Sequence, residues 1–305
     1  MQRPAASPLP VLALVFNALV WGTAWWPFRR LEGLGLHPLW ATALVFMVAA
    51  LAILAWRPQA LRQLLRAPVL WVLVLASGTT NAAFNWAVVI GDVVRVVLLF
   101  YLMPLWSVLL AWALLKEPLT RGAALRVALG LAGAAVVQWP SGAGAAGLPL
   151  PSTLADALGL LGGFSFALNN VMLRREAHRP EEARALAMFV GGVLVAGGLA
   201  LTLALQSQLP WPPLPRPAWL RLAFVLALLF LAGNLMLQYG AARLPANVTA
   251  VVMLTEVVFA YGSAWLLGAG HLTPQLLLGG GLIVAAALHA AWRPEARPSA
   301  TPQAG

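Results

Sequence analysis

The feature that most constrains the fold of this chain is a succession of long apolar segments separated by short breaks. The hydrocarbon core of a bilayer is about 30 Å thick, so a helix needs roughly 20 apolar residues to cross it. Ten such segments lie at residues 9–28, 38–56, 68–90, 93–115, 122–139, 154–173, 185–205, 218–241, 246–267 and 274–292. The sequence therefore predicts an all-α integral membrane protein with ten transmembrane helices.

Composition narrows the chemistry that such a protein can perform. Only 9% of the residues are charged, whereas a soluble domain has about 25%. The absence of cysteine excludes disulfides and thiolate metal sites, and the four scattered histidines form no metal-ligand pattern. We find no nucleotide-binding loop, no paired buried carboxylates and no H-E-x-x-H motif. We therefore expect no cofactor, no metal and no ATP, and a membrane enzyme is a remote alternative.

The basic residues predict how the chain crosses the membrane. With the N-terminus inside, fourteen of the nineteen Lys and Arg residues fall on the cytoplasmic side. Cytoplasmic loops are enriched in Lys and Arg, so we predict a multi-pass protein of the bacterial inner membrane with both termini cytoplasmic. The net charge of +10 is then a consequence of topology, and we expect no nucleic-acid partner.

A duplication divides the chain into two halves. Several polar and aromatic positions recur 153 residues later without a gap: Asn81 with Asn234, Asn85 with Gln238, Trp86 with Tyr239, and Trp112 with Trp265. Each half holds five segments, an odd number, so the second half must cross the membrane in the opposite sense. Inverted repeats place a binding site at their interface near the midplane. We therefore expect a central cavity between the halves.

The predicted boundaries follow from this division. The two five-helix repeats are residues 9–139 and 154–292, joined by a periplasmic linker at 140–153. Residues 1–8 form a cytoplasmic N-terminus, and the Pro- and Ala-rich residues 293–305 are expected to be a disordered cytoplasmic tail.

Four motifs resemble the drug/metabolite transporter superfamily in its ten-helix EamA-type form. They are Trp-Gly-Thr at 21–23, Tyr-Leu-Met-Pro-Leu at 101–105, Leu-Leu-Lys-Glu-Pro-Leu-Thr at 114–120, and Thr-Glu-Val-Val-Phe-Ala at 255–260. The resemblance implies two five-helix bundles around a central cavity and export of small metabolites. Val257 stands where the family has proline, and residues 268–273 lack the family's second Glu. The resemblance therefore implies neither a second helix kink nor a symmetric gate.

Glu256 is the carboxylate that lies deepest in a predicted helix. An ionisable group at a helix centre costs roughly 2.5–3.5 kcal/mol on insertion scales and usually faces a cavity or a partner. Glu256 is thus the candidate for binding a substrate amine or for coupling transport to protons. The alternative is a protonated Glu in a structural hydrogen bond between helices.

The duplicated amides are the next candidates for contact with substrate. Asn81 and Asn85 are four residues apart and share one helix face, as do Asn234 and Gln238. Amides both donate and accept, which suits a polar solute, although they are equally able to form hydrogen bonds between helices, worth about 0.6 kcal/mol each. Asn169 and Asn170 are adjacent, so at most one of them should face the cavity.

Aromatic and proline residues complete the candidate site. Trp21, Trp25, Tyr101, Trp86 and Tyr239 could form an aromatic wall or simply pack. Pro104 should kink its helix and free the carbonyl of Phe100. Asp92 and Arg95 are a candidate outer gate, or an interfacial pair. Glu117 is expected to be structural and neutralised by Lys116 or a loop Arg.

Together these features predict a secondary transporter that exports small metabolites, such as amino acids or related compounds, by alternating access with proton coupling. The alternatives are an uncoupled facilitator or exchanger, and an importer of a small polar or aromatic solute. The expected partners are that solute and the lipid bilayer, and the expected state is a monomer or weak homodimer.

Overall fold

The computed structural model describes residues 8–90, 93–137, 153–268 and 274–292, and within these ranges the chain is helical with no strand. The first half contains α1 (Leu9–Thr23), α2 (Trp25–Gly33), α3 (Pro38–Trp56), α4 (Gln59–Leu65), α5 (Leu70–Ile90), α6 (Val93–Phe100), α7 (Met103–Leu110), a π-helical turn (Ala111–Leu115) and α8 (Arg121–Val137). The second half contains α9 (Leu154–Arg175), α10 (Glu181–Leu205), α11 (Pro217–Ala241), α12 (Ala246–Met253), α13 (Thr255–Leu266) and α14 (Pro274–Trp292).

The helices coincide with the apolar segments, although not all are long enough to count as spans. Six helical stretches are long and apolar enough to cross a membrane: Leu9–Gly33, Pro38–Trp56, Leu154–Arg175, Glu181–Leu205, Pro217–Ala241 and Ala246–Leu266. The number is seven if the pair formed by α4 and α5, which is bent by 101°, is counted as one broken span. The predicted segments 93–115, 122–139 and 274–292 are helical where described but do not meet this test, so the number ten remains a prediction. The predicted linker lies outside the described residues except for Thr153, and the predicted tail lies wholly outside them.

The packing of the helices is repeated between the two halves. The first long helix of each half packs against the other half, α1 against α11 and α13, and α9 against α5, α6 and α7. The second long helices, α3 and α10, pack against each other. Phe46 contacts Phe189 at a ring-centroid distance of 5.3 Å, and Trp40 contacts Trp211 at 6.2 Å. Residue numbers rise along α10 as they fall along α3, so these equivalent helices are antiparallel, as an inverted repeat requires.

Two helix breaks occupy equivalent places in the halves. The first break begins at Tyr101, directly after α6, and the second is at Leu254, directly after α12; these positions are 153 residues apart. Pro104 explains the first break, because it has no N–H to donate. The second break forms without a proline. There the Thr255 hydroxyl donates to the Val252 carbonyl at 2.7 Å, and the Val257 N–H donates to the Leu254 carbonyl at 3.1 Å. A second kink is thus present although Val257 replaces the proline.

The carbonyl that Pro104 frees lies in a close helix contact. Gly163 of α9 packs directly on the Phe100 carbonyl oxygen, and a Cβ at that position would overlap this atom. A Cβ at Gly159, one turn earlier, would lie 3.0 Å from the Val96 carbonyl oxygen. Small residues let membrane helices approach closely in this way. Pro104 is itself buried, and its kink presents Phe100 and Tyr101 to the central cavity.

Candidate solute-binding cavity

A cavity of about 620 Å³ lies between the two halves. Residues from α1, α2, α3, α5 and α6 line it from the first half, and residues from α9 to α13 line it from the second. By contrast, α8 and α14 pack against each other and contribute no lining residue. Exposed Arg29 marks the end near the α2–α3 loop, whereas Asn17 and Asn169 at the opposite end are 0% and 2% exposed. Among the described residues, the cavity is therefore open at the α2–α3 end and closed towards the α9–α10 junction.

Most of the residues predicted to bind solute lie on the cavity wall. The structure brings together Trp21, Trp25, Asn81, Asn85, Tyr101, Asn234 and Glu256. Of the two adjacent asparagines, Asn169 faces the cavity and Asn170 does not, as the sequence predicts. Asp92 lies outside the described residues, as does the side chain of Arg95, so the predicted outer gate has no structural description.

Gln238 and Tyr239 do not line the cavity, contrary to the prediction from the repeat. Gln238 is completely buried, and its amide lies 2.8 Å from the Asn234 amide and beside the backbone of Glu181 and Ala185. This arrangement ties α11 to the start of α10. The Tyr239 ring instead lies 3.8 Å beneath the guanidinium of Arg243. Both residues lie beyond Asn234 towards the closed end, where the helices pack too tightly to leave a cavity.

Glu256 lies in the first turn of α13, directly after the break at Leu254. Its side chain is half-buried on the cavity wall, and in the described part of the chain no hydrogen bond or ion pair reaches its carboxylate. The structural alternative, a hydrogen bond between helices, is therefore not what the geometry provides.

The Trp-Gly-Thr motif positions this carboxylate. A Cβ at Gly22 would lie 2.6 Å from the Glu256 carbonyl oxygen and 2.8 Å from the Phe259 Cβ, so only glycine allows α1 to touch this turn. Trp21 stacks on Phe230 with a centroid distance of 4.4 Å, and the Trp25 indole N–H donates to the Ser263 hydroxyl at 2.9 Å. Trp21 and Gly22 of the motif thus fix α1 against α11 and α13, and Trp25 of α2 adds a hydrogen bond to α13.

The asparagines turn their N–H groups towards the protein. Asn81 donates to the Ser77 carbonyl at 2.9 Å, and Asn85 donates to the Thr42 hydroxyl at 3.0 Å. Thr42 in turn donates to the Pro38 carbonyl at 2.8 Å, so its oxygen must accept from Asn85. Asn17 donates to the Met253 sulfur at 3.4 Å. Within the described residues, the buried amide oxygens of Asn17 and Asn169 have no partner.

Asn17 lines the cavity without having been predicted as a candidate. It lies four residues before Trp21, on the same face of α1, and the isolated amide in an apolar helix is the signal that could have identified it. Ser77, Thr80 and Arg29 also line the cavity without having been predicted.

Aromatic side chains form two groups on the cavity wall. The Trp21 cluster consists of Trp21, Phe28, Phe46, Phe189 and Phe230, with ring centroids between 4.4 and 6.0 Å apart. The Phe100 cluster consists of Phe84, Phe100, Tyr101 and Phe166, with centroids between 4.8 and 5.9 Å apart. The predicted aromatic wall is therefore present through Trp21, Trp25 and Tyr101, while Trp86 and Tyr239 are not part of it.

The closed end is held by one polar junction, which we call the Glu117–Arg174 junction. The Arg174 guanidinium pairs with the Glu117 carboxylate and also donates to the Leu244 carbonyl. The Ala246 N–H donates to the second Glu117 oxygen at 3.3 Å. Glu117 belongs to the first half, and the two partners of its side chain, Arg174 and Ala246, belong to the second. It is thus neutralised by an arginine at the end of α9 and joins the halves below the cavity.

Two helical repeats that enclose a partly polar cavity are the architecture expected of a membrane transporter. The model of the EamA-like transporter family matches the chain twice, over residues 8–139 and 153–291. The chain belongs to the EamA-like transporter family. No curated protein matches it. A solved structure titled only "Crystal structure of protein" is 21% identical, covers 92% of this chain and 96% of its own, and has a TM-score of 0.72. At that identity the likeness concerns the fold alone.

Proposed function

We propose that this protein is a secondary transporter that exports small metabolites across the bacterial inner membrane by alternating access, with proton coupling through Glu256. The observation that carries this proposal is the cavity itself, which lies between two repeats and, among the described residues, is open at one end and closed at the other. The basic-residue bias orients the open α2–α3 end to the outside and both termini to the cytoplasm.

The closed end is weak enough to open. It depends on the Glu117–Arg174 junction, where the two charged side chains are 16% and 17% exposed, and on the packing around it. Hydrogen bonds to charged groups contribute about 1.5–3 kcal/mol each, which is of the order of the gap between two interconverting states of a protein. The breaks before α7 and α13 lie at equivalent positions, so either half has a point about which the cavity helices can bend.

Glu256 supports proton coupling because its carboxylate lies on the cavity wall without a protein partner in the described part of the chain. The titratable and charged side chains that share its cavity are Tyr101, Tyr261 and Arg29, and none forms an ion pair or hydrogen bond with it. A carboxylate at this depth is stabilised either by a proton or by a cationic group of the solute. Since one carboxylate cannot hold both, binding of such a solute releases the proton, and the two movements are coupled.

The proposal is tested with inside-out membrane vesicles. An efflux screen on cells that overproduce the protein first identifies a transported metabolite. We expect an imposed pH gradient to accelerate its uptake into vesicles, and Glu256→Gln to abolish the acceleration. Glu32→Gln, which removes an exposed carboxylate of α2 outside the cavity, is the matched control and should transport as the wild type does.

Three outcomes count against parts of the proposal. Equal acceleration in the Glu256→Gln protein removes Glu256 as the coupling site. Gradient-independent movement in the wild type favours an uncoupled facilitator or exchanger. No metabolite moved by the wild type in the screen or in vesicles contradicts a transport function.

A further inference from the structure

We propose that the cavity selects an organic ammonium ion with a ring-bearing apolar body and no carboxylate, rather than an amino acid. The inference rests on the proposed function, since it takes this cavity to be the solute site. It depends on three independent properties of the wall, namely its charge, the polarity of its hydrogen-bonding groups, and the position of its aromatic rings.

The first property is charge. Among the described lining residues, Glu256 and Arg29 are the charged ones. Arg29 is exposed at the open end, with its guanidinium 5.5 Å from the Trp25 ring, whereas Glu256 lies deeper, three residues after completely buried Met253. A buried charge requires a partner of opposite sign. The deep part of the cavity thus presents a negative charge without a protein cation, and a cationic solute supplies the partner.

The second property is the polarity of the hydrogen-bonding groups. The N–H groups of Asn17, Asn81 and Asn85 donate to protein acceptors. The amide oxygens of Asn81 and Asn85 accept no hydrogen bond within the described residues, whereas those of Asn17 and Asn169 are unpaired but completely buried and so do not face a solute. The wall therefore offers acceptors to a solute, and an ammonium group carries three donors and no acceptor. A solute carboxylate is acceptor-only when ionised and would face these oxygens unfavourably.

The third property is the arrangement of rings. The Trp21 cluster belongs mainly to α1, α3, α10 and α11, and the Phe100 cluster to α5, α6 and α9, so a solute in the cavity meets aromatic faces from both sides. Rings attract cations over their faces by about 0.5–2 kcal/mol and pack on other rings. A volume of about 620 Å³ lies within the range of about 300–1,000 Å³ that small-molecule sites occupy.

A ligand series that differs only in charge tests the inference. Purified protein in detergent is titrated calorimetrically at neutral pH with phenethylamine, phenylalanine, phenylacetate and 2-phenylethanol, which share one ring. We expect phenethylamine to bind at least tenfold more tightly than phenylalanine and 2-phenylethanol, and phenylacetate most weakly. Glu256→Gln should abolish the preference for the amine over the alcohol, while Glu32→Gln should retain it.

The titration of the wild-type protein with the four ligands tests the inference even if a variant fails to fold. Phenylalanine or phenylacetate binding as tightly as phenethylamine overturns the inference, as does an amine preference that survives in Glu256→Gln or Glu256→Asp protein of wild-type thermal stability. The two proposals fail differently. Tight amine binding without movement across vesicles contradicts the transport function alone, whereas transport of a metabolite without any amine preference contradicts the ammonium site alone.

Discussion

Replacing Gly22 with alanine tests whether α1 holds the turn that carries Glu256. The new Cβ would lie 2.6 Å from the Glu256 carbonyl oxygen, against an ordinary contact of 3.4 Å or more, so α1 and α13 must move apart by about 0.8 Å at this point. The Phe259 Cβ at 2.8 Å and the Ala260 nitrogen at 3.0 Å block a sideways escape. Overpacking of a tight contact costs about 1–3 kcal/mol.

The matched control for this substitution is Gly262→Ala on α13. A Cβ at Gly262 would meet no atom within 4 Å, so the change adds only the better helix propensity of alanine, about 1 kcal/mol. Because both variants gain this propensity, their difference in free energy of unfolding isolates the packing effect of about 1–3 kcal/mol. Chemical unfolding of the purified proteins in one detergent measures it.

Binding of phenethylamine provides a second measurement on the same pair. We expect it to weaken in Gly22→Ala, because the displaced turn carries the carboxylate that would hold the ammonium group, and to be unchanged in Gly262→Ala. If the two variants unfold at the same denaturant concentration and bind phenethylamine equally, the close approach at Gly22 does not position Glu256 and the reasoning is refuted.

Two further predictions separate binding from packing and opening from closing. Asn81→Ala should weaken solute binding in titrations with little change in the free energy of unfolding. Gln238→Ala should lower the free energy of unfolding by about 1–3 kcal/mol and leave binding intact, because Gln238 is buried outside the cavity. The reverse pattern would contradict the positions of both residues. Glu117→Gln should open the closed end. The wild-type chain has no cysteine, so a single cysteine placed at Ser77 reports on this opening, and it should react faster with an impermeant maleimide applied from the α9–α10 side. An unchanged rate would show that the Glu117–Arg174 junction does not hold this end shut.

The sequence predicts the helices well because apolar length and proline are local signals. The boundaries of α3, α10 and α11 fall close to the predicted segments, and the inverted repeat predicts that α3 and α10 run antiparallel, although not that they pack together. What it does not predict is the second break. No proline lies at this break, and the Thr255 hydroxyl instead donates to the Val252 carbonyl. The pattern of apolar residues does not distinguish a threonine at a helix break from one inside a continuous helix.

The candidate site was predictable where a carboxylate lies inside an apolar helix, as Glu256 does, and where an amide recurs in both repeats, as Asn81 does at Asn234. The repeat misled the interpretation at Gln238 and Tyr239, because equivalent positions in two halves need not lie at equivalent depths once the cavity is open at only one end. Whether an amide faces a solute or another helix depends on its neighbours in three dimensions, which for Gln238 are the backbone of Glu181 and Ala185.

The two helix breaks also differ in whether continuous helical hydrogen bonding can be restored across them. Pro104 has no N–H, so no rearrangement can restore a continuous ladder of hydrogen bonds between α6 and α7. At the second break every donor is still present. The N–H groups of Leu254 and Val257, which donate to carbonyls three residues earlier, would donate to those of Ala250 and Met253 if α12 and α13 joined into one helix. The two halves therefore have helix breaks at equivalent positions, but only the break in the second half can revert to a continuous helix. The half that can straighten is also the half that carries Glu256, so a change of helix shape there would displace the charged group together with its hinge.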